Sequence, residues 1–110
     1  MNAYLALGIA IVAEVIATSA LKASDGFSRA MPVLVVIGGY STAFYCLSLA
    51  LRTVPVGIAY AIWSGLGMVL ISLAAFVLYG QKISAPGWIG IGLILCGVVI
   101  LNTFSNAEVN

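Results

Sequence analysis

Four apolar runs, about 4–21, 33–51, 58–79 and 87–104, take up most of this 110-residue chain, and within them only Glu14 carries a charge. Each run is long enough to cross a hydrocarbon core of roughly 30 Å as an α-helix. Each is continuously apolar rather than alternating over about ten residues, which excludes the strands of a membrane barrel. Helices satisfy their backbone hydrogen bonds within one segment, so all four can stand in lipid. The breaks carry turn and interface chemistry. Lys22, Asp25, Gly26 and Arg29 end the first run, and Met31-Pro32 opens the second, proline being tolerated in a helix's first turn. Arg52 and Val54-Pro55-Val56-Gly57 separate the second from the third, and Gly80-Gln81-Lys82 with Pro86 lead into the fourth. The pattern predicts an all-α membrane protein, one four-helix transmembrane domain over residues 1–110, with a frayed tail from Ser105 to Asn110.

Only 6% of the residues are charged and 64% are hydrophobic, against about 25% charged in a soluble domain. No length remains for a soluble domain, so function must lie within the helices or their short connections. A net charge of +1 without any Lys/Arg run argues against nucleic acid or a polybasic lipid surface as the main partner. Cys46 and Cys96 fall in apolar runs with no His or CxxC pattern, so they read as small hydrophobes, and neither a metal nor a cofactor is expected. No nucleophile and base constellation suggests an enzyme. The first run lacks a basic leader and is interrupted by Glu14, which makes it a retained helix rather than a signal peptide. Lys22, Arg29 and Lys82 fall on one side of the membrane and Arg52 on the other. So weak an asymmetry permits insertion in both orientations.

An ionisable group at membrane depth is costly, about 2.5–3.5 kcal/mol on insertion scales, and persists where function or a partner compensates. Glu14 is therefore read as a site for a proton or a cation during transport. Helical spacing sets Leu7, Ala10, Ile11, Ala17, Thr18 and Leu21 on its side, with Tyr4 further along the stripe. The plainer alternative is a carboxylate paired with Lys22 or a backbone donor of a neighbouring helix. Tyr60 and Trp63 share a face at i, i+3, and Tyr40 and Phe44 form an i, i+4 pair. Trp88 and Tyr79 suit an interfacial belt, whereas Trp63 lies deep in its span. Aromatic faces beside a carboxylate could attract a lipophilic cation, each contact contributing about 0.5–2 kcal/mol; such stripes more often serve helix packing. Gly65 and Gly67 mark a hinge candidate, and Gly90 and Gly97 lie on one face that would let another helix approach.

Four helices enclose too little space to hold a substrate and also change its access, which predicts a homodimer with two Glu14 carboxylates. Many transporters use inverted repeats, and two copies inserted oppositely would supply one. If proton and cationic substrate exclude each other at the carboxylates, each displaces the other on its own side of the membrane.

Over essentially the entire chain these residues resemble the small multidrug resistance family, in particular its EmrE-like quaternary-ammonium branch. Ala13-Glu14-Val15-Ile16 with Thr18 and Lys22 looks like the family's first-helix motif, and the segment from Pro55 through Tyr60 and Trp63 to Gly65 is similar to its third-helix signature. Gly90 to Val98 resembles its fourth-helix dimer contact. The resemblance implies proton-coupled export of quaternary ammonium compounds and cationic dyes by an antiparallel homodimer in the bacterial inner membrane. It assigns Glu14 as the shared proton and substrate site, with Trp63 and Tyr60 contacting substrate. Tyr40, Tyr4, Leu7, Ala10, Ile11 and Thr18 would line the chamber. Gly65 and Gly67 would mark a kink, and Gly90, Leu93, Ile94, Gly97 and Val98 the dimer contact. Three positions depart from the pattern: Ala17 replaces a usual glycine, Ala43 stands where EmrE has serine, and the tail carries Glu108 but no Lys or Arg. A guanidinium exporter of the same family has Glu-Val-Val-Trp at the motif; Ile16 after Val15 favours the broader drug-export branch. A rotor proteolipid of an ion-driven ATPase and a structural membrane subunit are the alternatives of another class.

Overall fold

The computed structural model describes residues 2–104, so the tail with Glu108 lies outside the described residues. Within them the chain is all helical: α1 (Ala3–Ala23), α2 (Ala30–Ala50), α3 (Val56–Tyr79) and α4 (Ala85–Phe104). All four are long and apolar enough to span a membrane. Each begins one to three residues upstream of its apolar run. For α2 and α4 the reason is local: Pro32 and Pro86 fall inside the first turn, where a missing N–H costs nothing.

The helix ends are set by specific side chains. Asn2 Oδ1 accepts from the N–H groups of Tyr4 (2.8 Å) and Leu5 (3.3 Å) and so caps α1. Ser84 Oγ accepts from Gly87 N–H at 3.4 Å at the start of α4. After α1, Asp25, Gly26 and Phe27 all take positive φ, an arrangement that strains the two non-glycine residues. Buried Ser24 holds this turn: its hydroxyl donates to Leu21 O (2.7 Å) and accepts from Phe27 N–H (3.1 Å). Gly80, at φ 66°, ends α3 and lets Gln81 N–H reach back to Ala75 O.

α1 is the hub, packing on α2 and on α3, while α4 packs on α3. The α1–α2 contact is close at Gly39, where an added Cβ would stand 2.7 Å from Ala17 Cβ and 3.1 Å from Ala13 O. Ala17 is thus accommodated by a glycine across the interface, and both Ala17 and Ala43 are fully buried. Leu7, Ile11 and Val15 form the core with Ala6 and Ala50, against which Leu47, Leu49, Ile62 and Trp63 pack. Val54, Ile58 and Ala59 make a second cluster around the α2–α3 turn. Burial falls steadily along the chain, from 33% of the α1 span to 6% of the α4 span. α4 meets α3 where Val98 and Leu95 would stand 3.1 and 3.3 Å from a Cβ on Gly65.

Candidate functional site

Glu14 is half-buried on the α1 face turned toward α2 and α3. It lines a cavity of about 330 Å³ with Tyr40, Phe44, Leu47 and Leu51 of α2 and its following turn, and Val56, Ala59, Tyr60 and Trp63 of α3. The carboxylate is the one charged group in this lining, and the rest is apolar or aromatic. Its partner is not Lys22. Thr18 Oγ1 donates to Glu14 Oε1 at 2.9 Å and contacts Tyr40 Oη at 2.6 Å, while Lys22 Nζ stands 5.3 Å from the centroid of the Tyr79 ring. Gly67 leaves room beside the acid, since an added Cβ there would meet Glu14 Oε2 at 3.8 Å and Trp63 at 3.7 Å.

The aromatic groups form a continuous series from α2 to α3. Tyr40 and Phe44 stack with centroids 6.3 Å apart, and Phe44 and Trp63 stack at 6.2 Å. Tyr60 remains 69% exposed at the mouth. Such a wall offers ring faces to a lipophilic cation while the carboxylate supplies the charge.

The structure brings Glu14, Thr18, Tyr40, Tyr60 and Trp63 together and sets the other chamber residues elsewhere. Leu7, Ala10 and Ile11 are buried between helices within the chain. Tyr4 is 55% exposed and lines a separate apolar groove on the outer face of α1 with Ile16. Gly65 and Gly67 lie within an unbroken helix and meet different neighbours, α4 and the Glu14 site respectively. An added Cβ on Gly90 or Gly97 would meet nothing within 4 Å, and Leu93 and Ile94 are exposed. Val98 differs from these four, since it packs on Gly65 inside the chain.

Phe44, Leu47, Leu51, Val56 and Ala59 line the cavity without being expected in the site. For Phe44 the i, i+4 relation to Tyr40 is a signal, but the stack on Trp63 depends on how α2 crosses α3. Tyr79 was read as a belt residue; its hydroxyl also donates to Ser19 O at 2.7 Å, tying the end of α3 to α1.

Four helices long and apolar enough to span a membrane, three of them framing a cavity with one acid and an aromatic wall, define a multi-pass integral membrane protein. The chain belongs to the small multidrug resistance family: the family profile described as Small Multidrug Resistance protein matches residues 2–94. It is 58% identical over 108 residues to the quaternary ammonium compound-resistance protein QacE of Escherichia coli, covering 98% of each chain. It is 52% identical over 108 residues to the quaternary ammonium compound-resistance protein QacF of Klebsiella aerogenes, again covering 98% of each. To the multidrug transporter EmrE of Escherichia coli K12 it is 48% identical over 107 residues, covering 97% of each. The protein is accordingly a multi-pass protein of the bacterial inner membrane.

Proposed function

We propose that this protein exports lipophilic organic cations, quaternary ammonium compounds and cationic dyes among them, in exchange for protons, and that it works as an antiparallel homodimer. The observation that carries this reading is the placement of Glu14, the lone charge of the four apolar runs, on the wall of an aromatic cavity. The names of the relatives point to the same substrate class.

An unpaired carboxylate in a dry, apolar site is unfavourable, so either a proton or a cationic guest occupies it. Trp63, Tyr60 and Tyr40 contact the guest, and their ring faces accept many cations because the attraction needs no directional donor. Proton arrival from one side releases the guest there, and a guest arriving from the other side releases the proton. A second copy inserted oppositely completes the chamber, to which the exposed Tyr4 contributes on assembly. It also supplies the inverted half that alternating access uses. The bare α4 face of Gly90, Leu93, Ile94 and Gly97 suits the contact between copies.

The test is reconstitution into liposomes with an imposed pH gradient, comparing wild type with Glu14→Gln on a quaternary ammonium and on guanidinium. Gradient-driven uptake of the quaternary ammonium that disappears in Glu14→Gln is the expected result. Undiminished uptake in the variant refutes the assignment. Transport of guanidinium alone moves the protein to the guanidinium-exporting branch.

A further inference from the structure

The contacts around Glu14 form a two-step chain of hydroxyls. Thr18 stands one helical turn from Glu14, and its Oγ1 donates to Oε1 at 2.9 Å. A threonine hydroxyl has one proton. With that proton on the carboxylate, the 2.6 Å contact between Thr18 Oγ1 and Tyr40 Oη is donated by the tyrosine. Donation therefore runs from Tyr40 on α2, through Thr18, to the acid on α1. The Thr18 hydroxyl is thereby committed to Oε1, and the Tyr40 hydroxyl holds Thr18 in that position. Oε2 takes no hydrogen bond among the described residues. No buried side-chain oxygen or nitrogen among them lacks a partner, so this free oxygen is an accessible one. Gly67 keeps the space beside it open.

We propose that Thr18 and Tyr40 are positioning residues for exchange at Glu14. Their hydroxyls hold Oε1 of the charged acid and leave Oε2 to the proton or the cationic guest. The inference rests on the reading of Glu14 as the shared site. The other groups facing the acid do not duplicate the role. From α3, Tyr60 and Trp63 line the cavity, and neither is hydrogen-bonded to Glu14 among the described residues. Lys22, on α1 itself, is directed to Tyr79. α4 packs on α3 rather than on the α1 face that carries the acid.

Tyr40→Phe separates this role from that of a wall. It keeps the ring and its stack on Phe44 and removes only the first donor of the chain. The charged acid then loses support, and the proton displaces the guest at a higher pH than in wild type. Under alkaline conditions, where protons are scarce, the loss of affinity is smaller than on the acid limb. A residue acting only as a guest contact gives the opposite pattern: weaker binding at every pH and an unmoved midpoint.

The experiment is equilibrium binding of tetraphenylphosphonium to the full chain in lipid nanodiscs over a pH series, for wild type, Tyr40→Phe, Thr18→Ser, Thr18→Val and Glu14→Gln. Tyr40→Phe is expected to lower affinity about two- to tenfold on the acid limb, the range of one net hydrogen bond, and by a smaller factor on the alkaline limb. Thr18→Val, which cuts the chain at the acid, moves the midpoint further, and Thr18→Ser restores it. A Tyr40→Phe curve that superimposes on wild type, or that drops equally at all pH, overturns the positioning role. Wild-type pH dependence in Glu14→Gln instead overturns the assignment of the acid itself, so the two failures are distinguishable.

Discussion

Gly39→Ala provides a sharp test of the packing on which the site depends. The new Cβ would lie 2.7 Å from Ala17 Cβ, 3.1 Å from Ala13 O and 3.2 Å from Ala17 Cα, all of them backbone or backbone-fixed atoms that cannot rotate away. α1 and α2 must part by about 0.7 Å to reach ordinary contact, and overpacking of this kind costs about 1–3 kcal/mol. Helix propensity acts in the opposite direction by about 1 kcal/mol. Gly38→Ala makes the same propensity change one residue away, where an added Cβ meets nothing within 4 Å, so the difference between the two variants isolates the steric term. Thermal unfolding in a mild detergent should therefore place Gly39→Ala about 1–3 kcal/mol below Gly38→Ala, and Ala17→Gly should restore part of the loss by removing the closest contact. Because Gly39 immediately precedes Tyr40, parting the helices also lengthens the Tyr40–Thr18 bond, and cation affinity should fall together with stability. Equal stability of Gly39→Ala and Gly38→Ala would refute the close α1–α2 approach.

Two further outcomes follow from the same geometry. Phe44→Ala removes both aromatic stacks, each contributing about 0.5–1.5 kcal/mol, so binding of an aromatic cation measured by tryptophan quenching should weaken about threefold or more. Gly97→Leu acts at a position where an added Cβ meets no intrachain atom within 4 Å. It should leave helix content by circular dichroism unchanged while shifting the protein from dimer to monomer in cross-linking and native mass spectrometry; a fully retained dimer would remove α4 from the proposed interface.

The spans were legible because charge is so scarce: Lys22, Arg29, Arg52 and Lys82 mark the breaks between apolar runs with almost no competing signal. Glu14 was legible for the same reason. The helix starts were blurred by Pro32 and Pro86, which read as boundaries although a first turn admits them. The cavity wall was only partly readable. Helical periodicity groups residues on one helix, as for Tyr60 with Trp63, but the stack of Phe44 on Trp63 and the Tyr79 bond to Ser19 depend on how two helices cross. The same limit explains Leu7, Ala10 and Ile11. They share a stripe with Glu14, yet Leu7 and Ile11 pack among residues of both α2 and α3, and Ala10 is fully buried within the chain. Gly65 and Gly67, two residues apart, necessarily look in different directions, and one serves α4 while the other serves the acid.

The one-sided seating of α4 has a consequence for biogenesis. Glu14, Thr18, Tyr40, Phe44, Tyr60 and Trp63 all precede Gly80, and chains consolidate from the N-terminus as they are synthesised. The acid, its hydroxyl neighbours and its aromatic wall can thus assemble before the final span leaves the ribosome, and a lesion in that span should leave these intrachain contacts in place.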